Sequence, residues 1–172
     1  WLSRVDRPDR PDAVLFDLDP SDGVPFRDVV RVALLIRELL GALGLEGYPK
    51  TSGADGMHVL VPIARRSSYE DTRAFADLVA GTLARAHPRL VTTEWARAKR
   101  HGVLIDANQN RAGATIASVY SVRPHPGAPV STPLRWDELT DDLVPGDFTM
   151  DVVLDRVDQH GDLYAPVLGG RQ

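Results

Sequence analysis

The sequence predicts an α+β fold in which one β-sheet carries two helices on the same face. Three observations predict it: short apolar runs lie between turn residues, two longer segments have helical periodicity, and the segments follow in the order β-α-β-β-α-β-β. That order is typical of a split βαβ sheet. Such a sheet leaves its second face free for a functional site.

The first predicted strand carries two carboxylates on one face. Residues 13–20 form an apolar run that ends at Pro20 and contains Asp17 and Asp19. Side chains two residues apart in a strand point to the same side, so both carboxylates project together while Phe16 points the other way. Neighbouring anions repel unless a cation lies between them, and Mg²⁺ or Mn²⁺ prefers carboxylate oxygens. A solvated strand end is the alternative interpretation.

Two helices follow from apolar residues at helical spacing. The first begins near Pro25, which suits a first helical position, and ends at Gly44. The second begins after Ser68, whose hydroxyl can cap a helix, and ends before Pro88. The predicted apolar stripes contain Val29, Val30, Ala33, Leu34, Leu40 and Leu43 in the first helix and Phe75, Leu78, Val79, Leu83 and Ala86 in the second.

The remaining strands are predicted at residues 45–50, 57–63, 103–106 and 114–122, and a glycine-containing loop joins the first two. Together with the helices they predict an RRM-like or ferredoxin-like sheet.

Three parts of the chain differ in composition. We expect residues 1–12 to be a linker, residues 13–123 to form the RRM-like catalytic module, and residues 124–172 to form a C-terminal extension that packs on the same domain. The chain begins inside the linker without an initiator Met, which predicts a fragment or a processed protein.

Composition excludes several classes of protein. With no cysteine, the chain has neither disulfides nor thiolate metal sites. Charged residues interrupt its most apolar stretch, so we expect no membrane association and a cytoplasmic location. The net charge of −4 argues against a nonspecific nucleic-acid coat but permits a local basic groove.

Further polar residues lie near the predicted ends of strands. Asp106 ends a strand and can join the first two carboxylates, although it can also be a turn cap before Asn108. His58 begins a strand after the glycine loop that starts at Ser52 and can bind a phosphate with the loop N–H groups, or be purely structural. A basic run precedes the Asp106 strand and is either a solvated face or a contact for phosphate groups. It contains Arg97, Lys99, Arg100 and His101.

In their order and spacing, three motifs resemble those of archaeo-eukaryotic-type primases. The likeness is closest to the polymerase domain of bacterial ATP-dependent DNA ligase D and its stand-alone primase-polymerase relatives. The motifs are Asp17-Leu18-Asp19-Pro20, Lys50-Thr51-Ser52-Gly53 through Gly56-Met57-His58, and Ile105-Asp106 followed by Gln109-Asn110. Residues 115–124 and 127–134 also resemble that family, so the likeness runs from about residue 1 to about residue 140.

The resemblance implies a DNA-directed nucleotidyltransferase that adds NTP or dNTP to DNA ends in break repair, together with Ku and an ATP-dependent ligase module. It implies Mn²⁺ or Mg²⁺ at Asp17, Asp19 and Asp106. It also implies nucleotide contacts by Ser52, His58, Lys99 and Gln109. Family members carry an additional module ahead of the first motif, and we expect that module to be missing here.

Other functions remain open at this stage. A haloacid-dehalogenase-type phosphatase also has a strand ending in D-x-D, but it typically continues with Gly-Thr, where this chain has Pro20 and Ser21. A non-catalytic RRM-like module usually binds bases through aromatic residues on its central strands, whereas Phe16 is expected on the opposite face from the carboxylates. A folded but inert remnant is a third possibility.

Overall fold

A five-stranded sheet forms the centre of the protein, whose computed structural model describes residues 1–169. The spatial order of the strands is β2-β3-β1-β5-β4. All neighbouring pairs are antiparallel except β4 and β5. The strands are β1 (Ala13–Pro20), β2 (Tyr48–Thr51), β3 (Met57–Pro62), β4 (Val91–Thr92) and β5 (Val103–Asp106), and the helices are α1 (Phe26–Ala42), α2 (Tyr69–Ala86), α3 (Met150–His160) and α4 (Ala165–Gly169).

The predicted α+β fold is confirmed. Strand β1 lies between β3 and β5, which is the RRM-like arrangement with the short strand β4 added at one edge. Apolar side chains of β1, β3 and β5 form one core cluster with those of α1 and α2, so both helices cover the same face. Phe16 belongs to this face, where its ring meets Phe75 of α2 edge to face at a centroid distance of 6.3 Å.

The predicted strand at residues 114–122 is wrong. These residues form an irregular segment, in which the Tyr120 amide donates to the Ser131 carbonyl at 2.8 Å. The edge of β5 is already paired with Val91–Thr92, so the segment cannot pair with β5. A two-residue strand is too short to show a period, which is why the sequence did not predict β4.

Other boundaries shift by a few residues. Strand β2 begins at Tyr48 rather than at residue 45, because the Leu45 amide closes the end of α1 by donating to the Leu40 carbonyl at 2.9 Å. Three residues of the predicted stripes are exposed instead of buried: Leu43 at 54%, Leu78 at 64%, and Ala86.

The second face of the sheet is only partly open. Its end near Ala13 is covered by a second apolar cluster that brings in the N-terminal segment and α4. The expectation of a free second face therefore holds only for the end that carries Asp17 and Asp19. The cluster consists of Leu2, Ala13, Leu15, Leu60, Tyr69 and Val167.

The region after residue 123 contacts the sheet domain in several places. The Trp136 indole donates to the Gly47 carbonyl at 2.9 Å, and the Arg37 guanidinium of α1 lies over the Trp136 ring. Tyr120 donates its hydroxyl to Asp162 at 2.6 Å. The proposed division of the chain into linker, module and extension stays a prediction, and residues 170–172 of that extension lie outside the described residues. Within residues 1–169, no helix has the length and apolar character needed to cross a membrane.

Ser68 begins α2 with a capping box, because its hydroxyl accepts from the Asp71 amide and the Asp71 carboxylate accepts from the Ser68 amide. We expect Ser68→Ala to lower the free energy of unfolding by about 1 kcal/mol, since the Asp71 amide at the helix end loses its acceptor. Urea denaturation checks this, with Ser67→Ala as the matched control, which should leave the midpoint unchanged. Equal midpoints for the two variants would contradict the assignment of the cap.

Candidate active site

A row of polar side chains crosses the open end of the sheet. Asp17 is the register partner of His58 on β3 and of Asp106 on β5. His58 is in turn the partner of Lys50 on β2. Residues that pair directly across neighbouring strands share a face, so the four side chains form one line across four strands. Asp19 lies two positions further along β1, on the same face.

Asp17 and His58 interact directly. The Nε2 atom of His58 lies 3.3 Å from Oδ1 of Asp17, and both residues are buried. Burial lowers the pKa of His58, while the hydrogen bond to Asp17 opposes that change. The neutral ring donates Nε2–H to Asp17 and leaves Nδ1 as an acceptor. That buried atom has no hydrogen-bond partner among residues 1–169.

Carboxylates are crowded around Asp19. Burial and the charges of its acidic neighbours raise the pKa of Asp19 to about 6, and Arg100 opposes this change. The neighbours, in order of effect, are Asp17, Asp106 and Asp55. An anionic group in this position is destabilised unless a cation is added, so the donor chemistry fits a hard divalent metal ion.

Asp106 has a second role beside its place in the row. Its Oδ1 accepts from the Asn108 amide at 2.8 Å, which is the turn cap that the sequence allowed as an alternative. Within the described part of the chain, no three His, Asp or Glu side chains are arranged as a ready-made metal site. The register brings Asp17 and Asp106 side by side, but a shared ion at the three carboxylates stays a prediction.

The loop between β2 and β3 is closed by Ser52. Its hydroxyl accepts from the amides of Ala54 and Gly56 at 3.1 and 3.2 Å. These two N–H groups are therefore engaged inside the loop rather than directed at a ligand. Gly53 has φ +73°, and a Cβ there would lie 2.6 Å from Arg123, so the loop packs too closely for a larger residue.

Asp17, Asp19 and His58 line a cavity of about 480 Å³ on the open face, whereas Asp106 lies outside its lining. Among the predicted nucleotide contacts, Ser52, His58 and Gln109 line it, whereas Lys99 is exposed and lies outside the lining. Its charged lining residues are Asp17, Asp19, Asp22, Asp55, Arg97, Arg100 and Arg123.

Several residues of the site were not predicted. Arg123 lines the cavity and donates to the Ser52 carbonyl at 2.8 Å, and residues 115–117 form one wall. Asp55 adds a further carboxylate to the cavity lining. Arg123 and residues 115–117 lie in the stretch that carried the family resemblance, but only the folded chain brings them next to the glycine loop.

Comparison with known proteins agrees with this geometry. Residues 1–164 match the family described as LigD, primase-polymerase domain. The chain is 39% identical over 155 residues to the multifunctional non-homologous end joining protein LigD of Mycolicibacterium smegmatis, which covers 90% of this chain and 20% of that protein. It is 37% identical over 154 residues to the bifunctional LigD of Bacillus subtilis, covering 88% and 25%.

A solved structure has the same fold. The polymerase domain of Mycobacterium tuberculosis ligase D, in complex with DNA, superimposes with a TM-score of 0.88 at 33% identity and covers 95% of this chain and 57% of that one. The chain thus spans a quarter or less of the two curated relatives named above and somewhat more than half of the solved domain.

An RRM-like sheet with two helices on one face and a histidine-carboxylate row on the other defines an α+β domain of the primase-polymerase class. The chain belongs to the LigD primase-polymerase domain family.

The raised pKa of Asp19 predicts a specific dependence of stability on pH. The unfolded chain loses the Asp19 proton near pH 4 and the folded chain near pH 6, so the folded state binds more protons between these values. The free energy of unfolding contributed by this group therefore falls from pH 4 to pH 6 and stays low above it. We expect Asp19→Asn to be more stable than the wild type by about 1–2 kcal/mol above pH 6, a value reduced for solvent screening, and equal to it below pH 4.

Denaturation across this pH range in the presence of EDTA measures the effect. Asp158→Asn is the matched control, because Asp158 is exposed and has no ion pair within residues 1–169. A stability difference for Asp19→Asn that does not change with pH would show that the carboxylates are not crowded.

Proposed function

We propose that this domain transfers a nucleotide from NTP or dNTP to the 3′ end of DNA. The observation that carries the proposal is the row in which Asp17 pairs with His58 on one side and Asp106 on the other. Asp17 and His58 line a cavity that also contains arginines. Carboxylates and cations around one cavity are the two requirements for binding a metal-bound triphosphate.

Each group has a defined task in the proposed reaction. Arg100 and Arg123 supply positive charge for the phosphates, and Gln109 offers an amide group beside them. His58, oriented by Asp17, presents Nδ1 to the ligand. Because Nδ1 of the neutral ring is an acceptor, a contact with a phosphate oxygen requires a proton on that atom, which the adjacent Asp17 carboxylate would stabilise.

Enzymes of this polymerase class depend on metal ions in general. Asp17, Asp19 and Asp106 would hold Mn²⁺ or Mg²⁺, which would supply Lewis-acid stabilisation of the phosphates and activation of the attacking hydroxyl. Addition of the ion would remove the mutual repulsion that raises the pKa of Asp19.

The names of the relatives support a proposal about the partners. The curated relatives are named as non-homologous end joining proteins, and the solved neighbour is a complex with DNA. We extend this to DNA ends as the substrate, break repair as the process, Ku and an ATP-dependent ligase module as partners, and the cytoplasm as the location.

The alternative functions fit the structure less well. A haloacid-dehalogenase-type phosphatase has a doubly wound parallel sheet, whereas here only β4 and β5 are parallel. An RRM-like module that stacks bases needs aromatic rings on the open face, and Phe16 packs against Phe75 on the other side.

Calorimetric titration with ATP and Mn²⁺ tests the proposal. We expect Asp17→Asn and His58→Ala to weaken nucleotide binding at least tenfold, because each removes a group from the centre of the row. Asp77→Asn, on the far side of α2, is the control and should bind like the wild type. Unchanged affinity in Asp17→Asn would refute the metal-nucleotide site, and release of inorganic phosphate from ATP without DNA would favour a phosphatase.

We expect a protein made of these 172 residues alone to bind nucleotide but to extend DNA primers poorly. Holding a DNA end requires many phosphate contacts, and this chain has a net charge of −4. Positioning of the primer hydroxyl should therefore fail first. Primer extension measured at increasing salt checks this, and robust extension that resists salt would show that the chain needs no further cations.

A further inference from the structure

Lys50 is buried without a carboxylate partner. Lys50 is 1% exposed, and no ion pair within residues 1–169 includes it. Burial lowers the pKa of Lys50 to about 7, although Asp17 opposes the change. An ammonium group in the interior is costly unless its donors are bonded, so the contacts made by this side chain indicate its role.

The Lys50 ammonium connects three parts of the chain. It donates to the Ala117 carbonyl at 3.0 Å and to the Ser131 hydroxyl, and it lies 3.5 Å from the carbonyl of Thr51. The Ser131 hydroxyl in turn donates a hydrogen bond to the same Thr51 carbonyl at 2.8 Å. One cation thus joins strand β2 to two segments that are distant in the sequence.

One of these segments is the irregular wall of the cavity, residues 115–117. In the described chain, the bond from Lys50 to Ala117 is the one hydrogen bond that these three residues make. Apolar packing of Ile116 against the cluster near Leu60 is their other attachment to the sheet. Lys50 therefore supplies the hydrogen bond that holds this wall, beside the apolar packing of Ile116.

We propose that Lys50 is a positioning residue of the nucleotide site. It holds the wall at residues 115–117 and the segment at Ser131 against β2, the strand that pairs with the His58 strand β3. The inference rests on the function proposed above and deepens it. Lys50 does not itself line the cavity, so it acts through the wall and not through contact with the nucleotide.

An ammonium group suits this task better than an apolar side chain. It has three donors, and its acceptors lie on separate segments, so a single group can satisfy all of them. A methionine of similar length would fill the space but leave the Ala117 carbonyl and the Ser131 hydroxyl without this donor. The wall would then lose its hydrogen bond to the sheet.

Two measurements on the same variants test the proposal. The first is the dissociation constant for ATP with Mn²⁺, and the second is hydrogen exchange at the Tyr120 and Ser131 amides, which bond the carbonyls of Ser131 and Ser121 at 2.8 and 2.9 Å. We expect Lys50→Met to weaken binding about tenfold and to speed exchange about tenfold at both amides, and Ser131→Ala to have smaller effects in the same direction. Arg73→Met, which removes an exposed cation on α2, should change neither.

Chemical rescue of a Lys50 variant distinguishes loss of the ammonium group from general loss of structure. The chain has no cysteine, so Lys50→Cys can be alkylated at one position with 2-bromoethylamine in urea and then refolded, which restores an ammonium at nearly the original length. We expect the alkylated protein to recover nucleotide affinity and slow amide exchange, and the unmodified variant to lack both. If Lys50→Met does not fold, Ser131→Ala and the alkylation pair carry the test.

The outcomes distinguish this inference from the proposed function. Wild-type exchange at Tyr120 and Ser131 in folded Lys50→Met would refute the positioning role whether or not nucleotide binds. Faster exchange with unchanged affinity would also refute it, because the wall would then move without affecting the site. A wild-type protein that binds no ATP would refute the proposed function, and the role of Lys50 in the site with it.

Discussion

The cross-strand register at Asp17 is the constraint on which the site depends. One position on the central strand faces His58 on one side and Asp106 on the other, so three chemically active groups meet without any loop having to place them. A shift of either neighbouring strand by one residue would turn its contribution to the helix-covered face. The apolar side of the same strands prevents such a shift, because Phe16 and Val59 are completely buried there.

Burial of this row has an electrostatic cost that the rest of the site offsets only in part. His58 satisfies one oxygen of Asp17, and the Asn108 amide satisfies one of Asp106. Asp19 has Arg100 nearby but remains dominated by burial and by other anions, which is why its pKa is raised to about 6. A carboxyl group with a strongly shifted pKa in a cavity is typical of a functional site, and the proposed divalent cation would relieve the repulsion among these carboxylates.

Local patterns were sufficient for four of the five strands and for part of the site. Alternation alone places Asp17 opposite Phe16, and the capping residue alone places the start of α2 at Ser68. Lys50 belongs to the second sequence motif, but its contacts were not predicted, because they reach residues 67 and 81 positions further along the chain. The predicted strand at residues 114–122 failed for a similar reason: its pattern suits a strand, but whether a sheet edge is free depends on the whole fold.

The irregular conformation of residues 114–122 explains the shape of the site. A regular strand at residues 114–122 would extend the sheet and leave its open face flat. The irregular segment instead crosses beside the row, and its residues 115–117 turn a flat surface into a cavity of about 480 Å³. Because such a segment lacks the repeated hydrogen bonds of a strand, it needs specific contacts to stay in place. The buried ammonium of Lys50 supplies one of these contacts. The irregular segment therefore accounts for the presence of a buried charge that is unpaired within residues 1–169.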